Sequence, residues 1–163
     1  MTGVLNISDV MQRKLDGKSK EEVQSTSQSF LNEVKLITDG VESVALYDHN
    51  GNLVVSDTMY TETLPPEKIA EQSWFVSAYN NKLINSFSRV DNASEFTLSK
   101  VIRLKNEDTA VLKVVYDFTG LTSMIDEVRL GKGGHVVIYD NNYDIVYASA
   151  EVDENEIKNI QDT

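Results

Sequence analysis

The chain has no cysteine, two prolines, two histidines and one tryptophan in 163 residues. Without cysteine there is neither a disulfide framework nor a thiolate metal site, so the fold must rest on a hydrophobic core. A chain of this length can build one, because folding at this size buries about 70% of the surface that the unfolded chain exposes. Basic residues are also scarce, 15 against 26 acidic ones, for a formal charge of -11. A duplex-binding surface needs a positive footprint to displace counterions, and no basic stripe supplies it; general nucleic-acid binding is excluded. No apolar run approaches the roughly 20 residues needed to span a bilayer, and no basic, apolar and small-residue zoning marks a signal peptide.

Motifs for chemistry are missing too. His49 and His135 stand in no metal-ligand spacing. Asp140, Asp144, Asp153 and Glu154 lack the glycine and terminal glutamate of a calcium loop. Gly131-Lys132-Gly133-Gly134 precedes a strand, whereas a phosphate loop must run from strand into helix so that helix N-terminal amides meet the anion. There is no Gly-x-Ser-x-Gly elbow. The expectation is a fragment with no catalytic residue, no metal and no cofactor.

What remains is hydrophobic patterning. Val23, Phe30, Val34 and Ile37 recur at helical spacing, with Ser8 and Asp9 as N-cap candidates, Gly17 as a point of division and Gly40 as a stop. This predicts an amphipathic helix covering a sheet, with a dimer-forming stem as the sharper alternative. Strand patterns follow at 43–48 and 53–57, joined across Asn50-Gly51, which predicts a type I′ hairpin. Pro65-Pro66 predicts a helix from Glu67 to about Tyr79, with Ile69, Ala70, Trp74 (or Ser73) and Ala78 inward. Strands are predicted at 84–90, 95–104 and 109–116, then a helix from Thr119 to Leu130. The sum is an α+β unit with a five-stranded antiparallel sheet.

One self-match stands out. Residues 44–55 align without gaps on residues 136–147, keeping Val44 as Val136, Tyr47-Asp48 as Tyr139-Asp140, Asn50 as Asn142 and Val54 as Val146. Short alternating strands resemble one another by chance, but here turn and Tyr-Asp step share one register. The repeat predicts a first lobe over 1–130 and the hairpin and acidic helix of a truncated second lobe over 131–163.

This order of elements resembles the Cache family, specifically the double-Cache sensor domains, which are PAS-like. The residues that carry the resemblance are the N-terminal helix, Leu46 to Asp57, Gln72-Ser73-Trp74-Phe75-Val76-Ser77-Ala78, Thr97 to Ile102, and Val111 to Asp117 with Phe118 and Leu121. The resemblance covers roughly residues 8 to 150; each motif is weak alone, and their order carries it. It implies an extracellular or periplasmic sensor module of a membrane-anchored bacterial receptor, such as a histidine kinase. A small ligand would sit in the first lobe, and a homodimer would form through the N-terminal helix. The implied ligand-binding residues are Gln72, Trp74, Phe75, Tyr116 and Asp117, with Arg103 as a possible anion contact.

In the family's amino-acid-binding subgroup an arginine stands where this chain has Gln72, and glutamine has no charged fork for a carboxylate. The resemblance here suits a neutral or cationic ligand facing Asp117. Each residue also has an ordinary role. Trp74 is a core anchor, Asp117 a helix cap, Arg89 and Arg103 surface ion pairs, and the rings of Tyr47 and Tyr116 sheet packing. Two other functions compete: a PAS-like dimerisation or docking module without a small ligand, and, more weakly, a hydrolase or transferase fragment with an unfamiliar site. If Trp74 is buried as its helix position predicts, Trp74→Ala destabilises the fold by about 3–5 kcal/mol in urea denaturation. A loss below about 1 kcal/mol would place the ring in solvent.

Overall fold

The computed structural model describes residues 2–38, 40–58, 60–80, 86–89, 95–117, 119, 123, 134, 136–139 and 145–148. Its N-terminal segment is divided at Gly17 into α1 (Thr2–Leu15) and α2 (Lys20–Ile37). Ser8 and Asp9 lie inside α1 rather than at a helix start; the N-cap of α2 is Ser19. Its hydroxyl accepts from the Glu22 amide at 3.3 Å while its own amide donates to the Glu22 carboxylate at 2.7 Å, a reciprocal capping box. The Ser-x-x-Glu signal is in the sequence, two residues after the glycine.

The strands β1 (Val41–Asp48), β2 (Leu53–Ser56), β3 (Ser86–Arg89), β4 (Glu95–Arg103) and β5 (Thr109–Asp117) form one sheet in the order β2-β1-β5-β4-β3. Every neighbouring pair is antiparallel. The expected helix after the prolines is two short ones, α3 (Pro66–Ala70) and α4 (Ser73–Asn80). A hairpin of β6 (Val137–Tyr139) and β7 (Ile145–Ala148) stands as a separate two-stranded sheet. Of the helix expected from Thr119 to Leu130, Thr119 and Ser123 are described and both are helical. The acidic helix expected after Ser149 lies outside the described residues. Among the described residues, no helix is long and apolar enough to cross a membrane.

Alternation along the strands divides the core in two. Val44, Leu46, Leu98, Ile102, Leu112, Val114 and Tyr116 face α1 and α2, which contribute Ile7, Met11, Leu15, Val23, Leu31 and Val34. On the opposite face Ala45, Tyr47, Val101 and Val111 pack with Ile69, Trp74, Phe75 and Ala78 of α3 and α4. Of the expected α2 stripe, Val23 and Val34 are buried and Phe30 is half-buried; Leu31 supplies a further inward residue. These residues of the stripe pack on the sheet, and the side chain of Ile37 lies outside the described residues.

Two tight turns hold the helices in place. In the β1–β2 turn only Gly51 has a positive φ, 82°, so the type I′ expectation fails, since that turn requires it at both central residues. Asp48 explains the difference. Its carboxylate accepts from the amides of Asn50 and Asn52 at 2.9 Å each and from the Asn52 side chain, and this holds the loop as an Asx-type turn. It also receives Lys20 Nζ at 2.6 Å, joining the turn to the start of α2. Burial of the Asp48 carboxyl opposes ionisation, but Lys20 and the Asn52 and Asn50 donors outweigh it and hold the pKa at about 2. At the other turn, Asn106 and Glu107 both take positive φ, 59° and 62°, and the Lys105 amide donates to Lys18 O at 2.8 Å. The α1–α2 link is pinned there to the β4–β5 hairpin.

Gly51 is seated against the first turn of α3, where an added Cβ would lie 2.3 Å from Pro66 O. Gly17 also has positive φ, 72°, but nothing within 4 Å of an added Cβ. Gly17→Ala therefore costs about 1 kcal/mol for backbone strain alone. Gly51→Ala costs more, about 2–4 kcal/mol, because the turn or α3 must also move. Urea midpoints of the two variants at equal m-value provide the comparison.

Candidate functional site

The face of the sheet under α3 and α4 carries a lysine and two buried hydroxyls; the opposite face has polar groups of its own, among them Lys100, which bonds Asp9 of α1, and the buried Ser27 of α2. Period-two alternation puts Thr97, Ser99 and Val101 of β4 on the α3 and α4 side, with Val111, Lys113, Val115 and Asp117 of β5 and Ala45 and Tyr47 of β1. Thr97 and Ser99 are buried, and the Ser99 hydroxyl donates to Trp74 O at 2.7 Å, tying the first turn of α4 to the middle of the sheet. Trp74 closes the arrangement from above. Its ring lies 5.3 Å from that of Tyr47 and 5.5 Å from that of Phe75, the latter edge-on.

Lys113 runs under this roof. Its Nζ is 4.8 Å from the Trp74 ring centroid and 5.7 Å from that of Tyr60, so two π-faces bracket one ammonium. Tyr60 belongs to the connection from β2 to α3, and so does Glu62. The hydroxyls of Tyr47 and Tyr60 lie 2.6 Å apart, and each lies 2.5 Å from Glu62 Oε2. Two phenol protons serve three oxygen–oxygen separations, so two of them are hydrogen bonds at any moment. Glu62 Oε1 accepts from the amides of Thr63 and Leu64 at 2.9 Å each. One carboxylate thereby closes the connection over the sheet.

The sequence-predicted residues are only partly brought together. Trp74 and Phe75 are in the core, 6% and 3% exposed, so Trp74 takes the anchor role and Phe75 is buried beside it. Gln72 lies in the break between α3 and α4, and its side-chain amide donates to Lys68 O at 3.2 Å. Tyr116 requires a correction. It packs with the α1/α2 cluster on the other side of the sheet from Trp74, because Val115 and Asp117, its neighbours, take the Trp74 side. Its hydroxyl is buried there with no hydrogen-bond partner among the described residues, and burial raises its pKa.

Asp117 is exposed at the end of β5, where its carboxylate accepts from the Thr119 amide at 2.8 Å and from the Thr119 hydroxyl. That is the capping role. Arg103 is exposed and pairs with Thr109, while Asp117 pairs with Glu95, so Arg103 and Asp117 occupy opposite ends of the β4–β5 ladder and share no site. The side chain of Arg89 is outside the described residues.

No protein-family model and no curated protein matches the chain. The covered face stands on its own chemistry. Lys113, Tyr60 and Glu62 are the residues that sequence reasoning missed. Lys113 had a legible signal, being the one charged residue in the apolar run from Ala110 to Tyr116. Tyr60 and Glu62 had none, since loop residues show no period.

Electrostatics follow from the network. Burial opposes ionisation of Glu62, but the Tyr47 and Tyr60 hydroxyls and the Leu64 and Thr63 amides more than compensate, and its pKa is lowered. Burial first, then the Glu62 bond, raises the pKa of both phenols. The lowered carboxyl contributes stability that is present above its unfolded pKa, about 4.3, and lost as pH falls through the folded value. The raised phenols contribute stability that is present below about pH 10 and lost as pH rises through their folded values. Tyr60→Phe is expected to move the Glu62 pKa upward in a side-chain NMR titration. An unchanged Glu62 pKa would mean that the phenol does not donate to it.

Proposed function

We propose that the chain is the signal-sensing module of a membrane-bound bacterial receptor, a PAS-like lobe of the Cache type that holds a small ligand on its Trp74 face. Two things support the reading. The first is the order of the weak motifs along the chain, together with an antiparallel sheet covered by helices. The second, which carries it, is the difference between the two faces. One is packed mainly by aliphatic side chains from α1 and α2, with its lysine, Lys100, paired to Asp9; the other places a lysine between two aromatic rings over a floor with two buried hydroxyls. Binding sites are mostly apolar with a few placed polar groups, and this face has that composition.

The ligand follows from Lys113 rather than Asp117. Asp117 is engaged with Thr119 at the strand end, whereas the Lys113 ammonium and the Glu62 carboxylate both flank the covered face, and a small polar ligand that replaces part of their present contacts is the natural complement. The module would report binding by shifting α2, with a sensor histidine kinase as the most economical parent and the outer face of the membrane as its location. Ligand energy enters only as differential affinity for two arrangements.

The repeated hairpin supports a second lobe. Leu46 pairs with Val55 and Tyr47 with Leu53, with an irregularity between them; Ile138 pairs with Tyr147 and Tyr139 with Ile145, with the same irregularity at the matching place. One observation favours the competing reading of a dimerisation or docking module: Trp74 and Phe75 are themselves packed as core.

A thermal-shift screen over carboxylates, amines, sugars and peptides separates the two. A specific ligand raises the melting temperature with concentration, reaching about 2.7 kcal/mol of stabilisation at one hundred times its Kd. Lys113→Met should remove that shift and keep the unliganded melting temperature within a few degrees. A flat response in all four classes rejects the ligand reading in favour of docking.

A further inference from the structure

The connection between β2 and α3 is bonded at both ends to different parts of the molecule. At its root, Asp57 is buried at the end of β2. Its carboxylate accepts from the Val44 amide at 2.8 Å and lies 3.3 Å from Lys35 Nζ of α2. The next residue, Thr58, donates its amide to Asn32 Oδ1 of α2 at 2.9 Å. The Tyr60 amide then donates back to Asp57 O at 3.3 Å, which stiffens the step between root and tip. At the tip, Tyr60 and Glu62 close on Tyr47, and the Tyr60 ring covers Lys113 beside Trp74. Between the α2 bond and the Trp74 face there are only a few residues of chain.

We propose that this connection is a coupling strap, in which Asn32 and Lys35 of α2 act as positioning residues for the Tyr60–Glu62 closure over Trp74 and Lys113. The two ends are one mechanical unit. A shift of α2 along its axis carries the acceptor of the Thr58 amide and the partner of Asp57 with it, and the bond from the Tyr60 amide to Asp57 O passes the motion toward the tip. Opening at the tip frees the root in turn, because coupling between two sites is reciprocal. The strap is a property of the chain without ligand, so it goes beyond the sensing proposal and does not depend on it.

Two substitutions and one probe test this in the full chain. Trp74 is the single tryptophan, so its fluorescence reports the covered face without labelling. Asn32→Ala removes the acceptor of the Thr58 amide, and acrylamide quenching of Trp74 should rise by about twofold as the strap opens more often. Reciprocally, Glu62→Gln should speed hydrogen exchange at the Thr58 amide by about as much. Lys35→Met gives a second route to the root and keeps the aliphatic stem packed, should Asn32→Ala fold poorly. Lys68→Ala, which cuts the exposed Lys68–Glu71 pair of α3, should change neither readout and serves as the control.

If each substitution alters only its own end, with Trp74 quenching unmoved by Asn32→Ala and Lys35→Met and Thr58 exchange unmoved by Glu62→Gln, the strap is two local latches and the coupling is refuted. Failure of the ligand screen leaves these measurements untouched, and the two proposals can therefore fail separately.

Discussion

Strand β5 is paired with β1 on one edge and β4 on the other, and from Ala110 to Tyr116 it is packed on both faces. A strand in that position must read as a near-continuous apolar run, and Ala-Val-Leu-Lys-Val-Val-Tyr does so with one exception. Everything else is arranged around it. The helices α1 and α2 cover the side that receives Ala110, Leu112, Val114 and Tyr116, while α3 and α4 cover the side that receives Val111 and Lys113. Burying a leucine or valine on this strand gives about 1.5–3 kcal/mol, so the exception at Lys113 forgoes that gain at the centre of the sheet. Rings of Tyr60 and Trp74 over its ammonium, and a long stem that buries well, offset part of the cost.

The two faces illustrate different solutions to covering a sheet. Long helices lay apolar stripes on the first and leave the Tyr116 hydroxyl without a partner among the described residues. The short helices α3 and α4 cannot cover the second alone. The loop between β2 and α3 completes it, and because loop backbone carries unpaired polar groups it brings Glu62 with it to hold Thr63 and Leu64. The polar character of that face thus originates in how it is roofed as much as in what lines it.

Much of this was legible in the sequence. All five strands of the main sheet are readable as short runs of strand-forming residues, because turn residues such as Asn50-Gly51 and Lys105 to Asp108 bound them. The inward face of the helix carrying Trp74 followed from spacing alone. What failed were details set by tertiary partners. The turn type depended on a carboxylate four residues from its last donor, and the break at Gln72 on the fit of two short helices to a twisted sheet. Tyr116 and Asp117 are adjacent and therefore oppose each other across the pleat, a constraint already available from period two. Glu62 shows the other limit, since a loop residue gains its partners only when the fold brings Tyr47 to it.

The amide of Asp117 donates to Gly40 O at 2.7 Å, so the chain enters β1 and leaves β5 at the same corner. Val41 lies opposite Tyr116 as the last pair of that ladder. In an antiparallel pair the hydrogen bonds lie across the strands, and a force separating the two chain ends at this corner meets them singly, as in opening a zip, rather than all together as in sliding the strands lengthwise. The corner is mechanically soft while the body of the sheet is stiff. Tension between α2 and whatever follows β5 would be taken up there first, leaving the Trp74 face intact until the zip had travelled well into the strand.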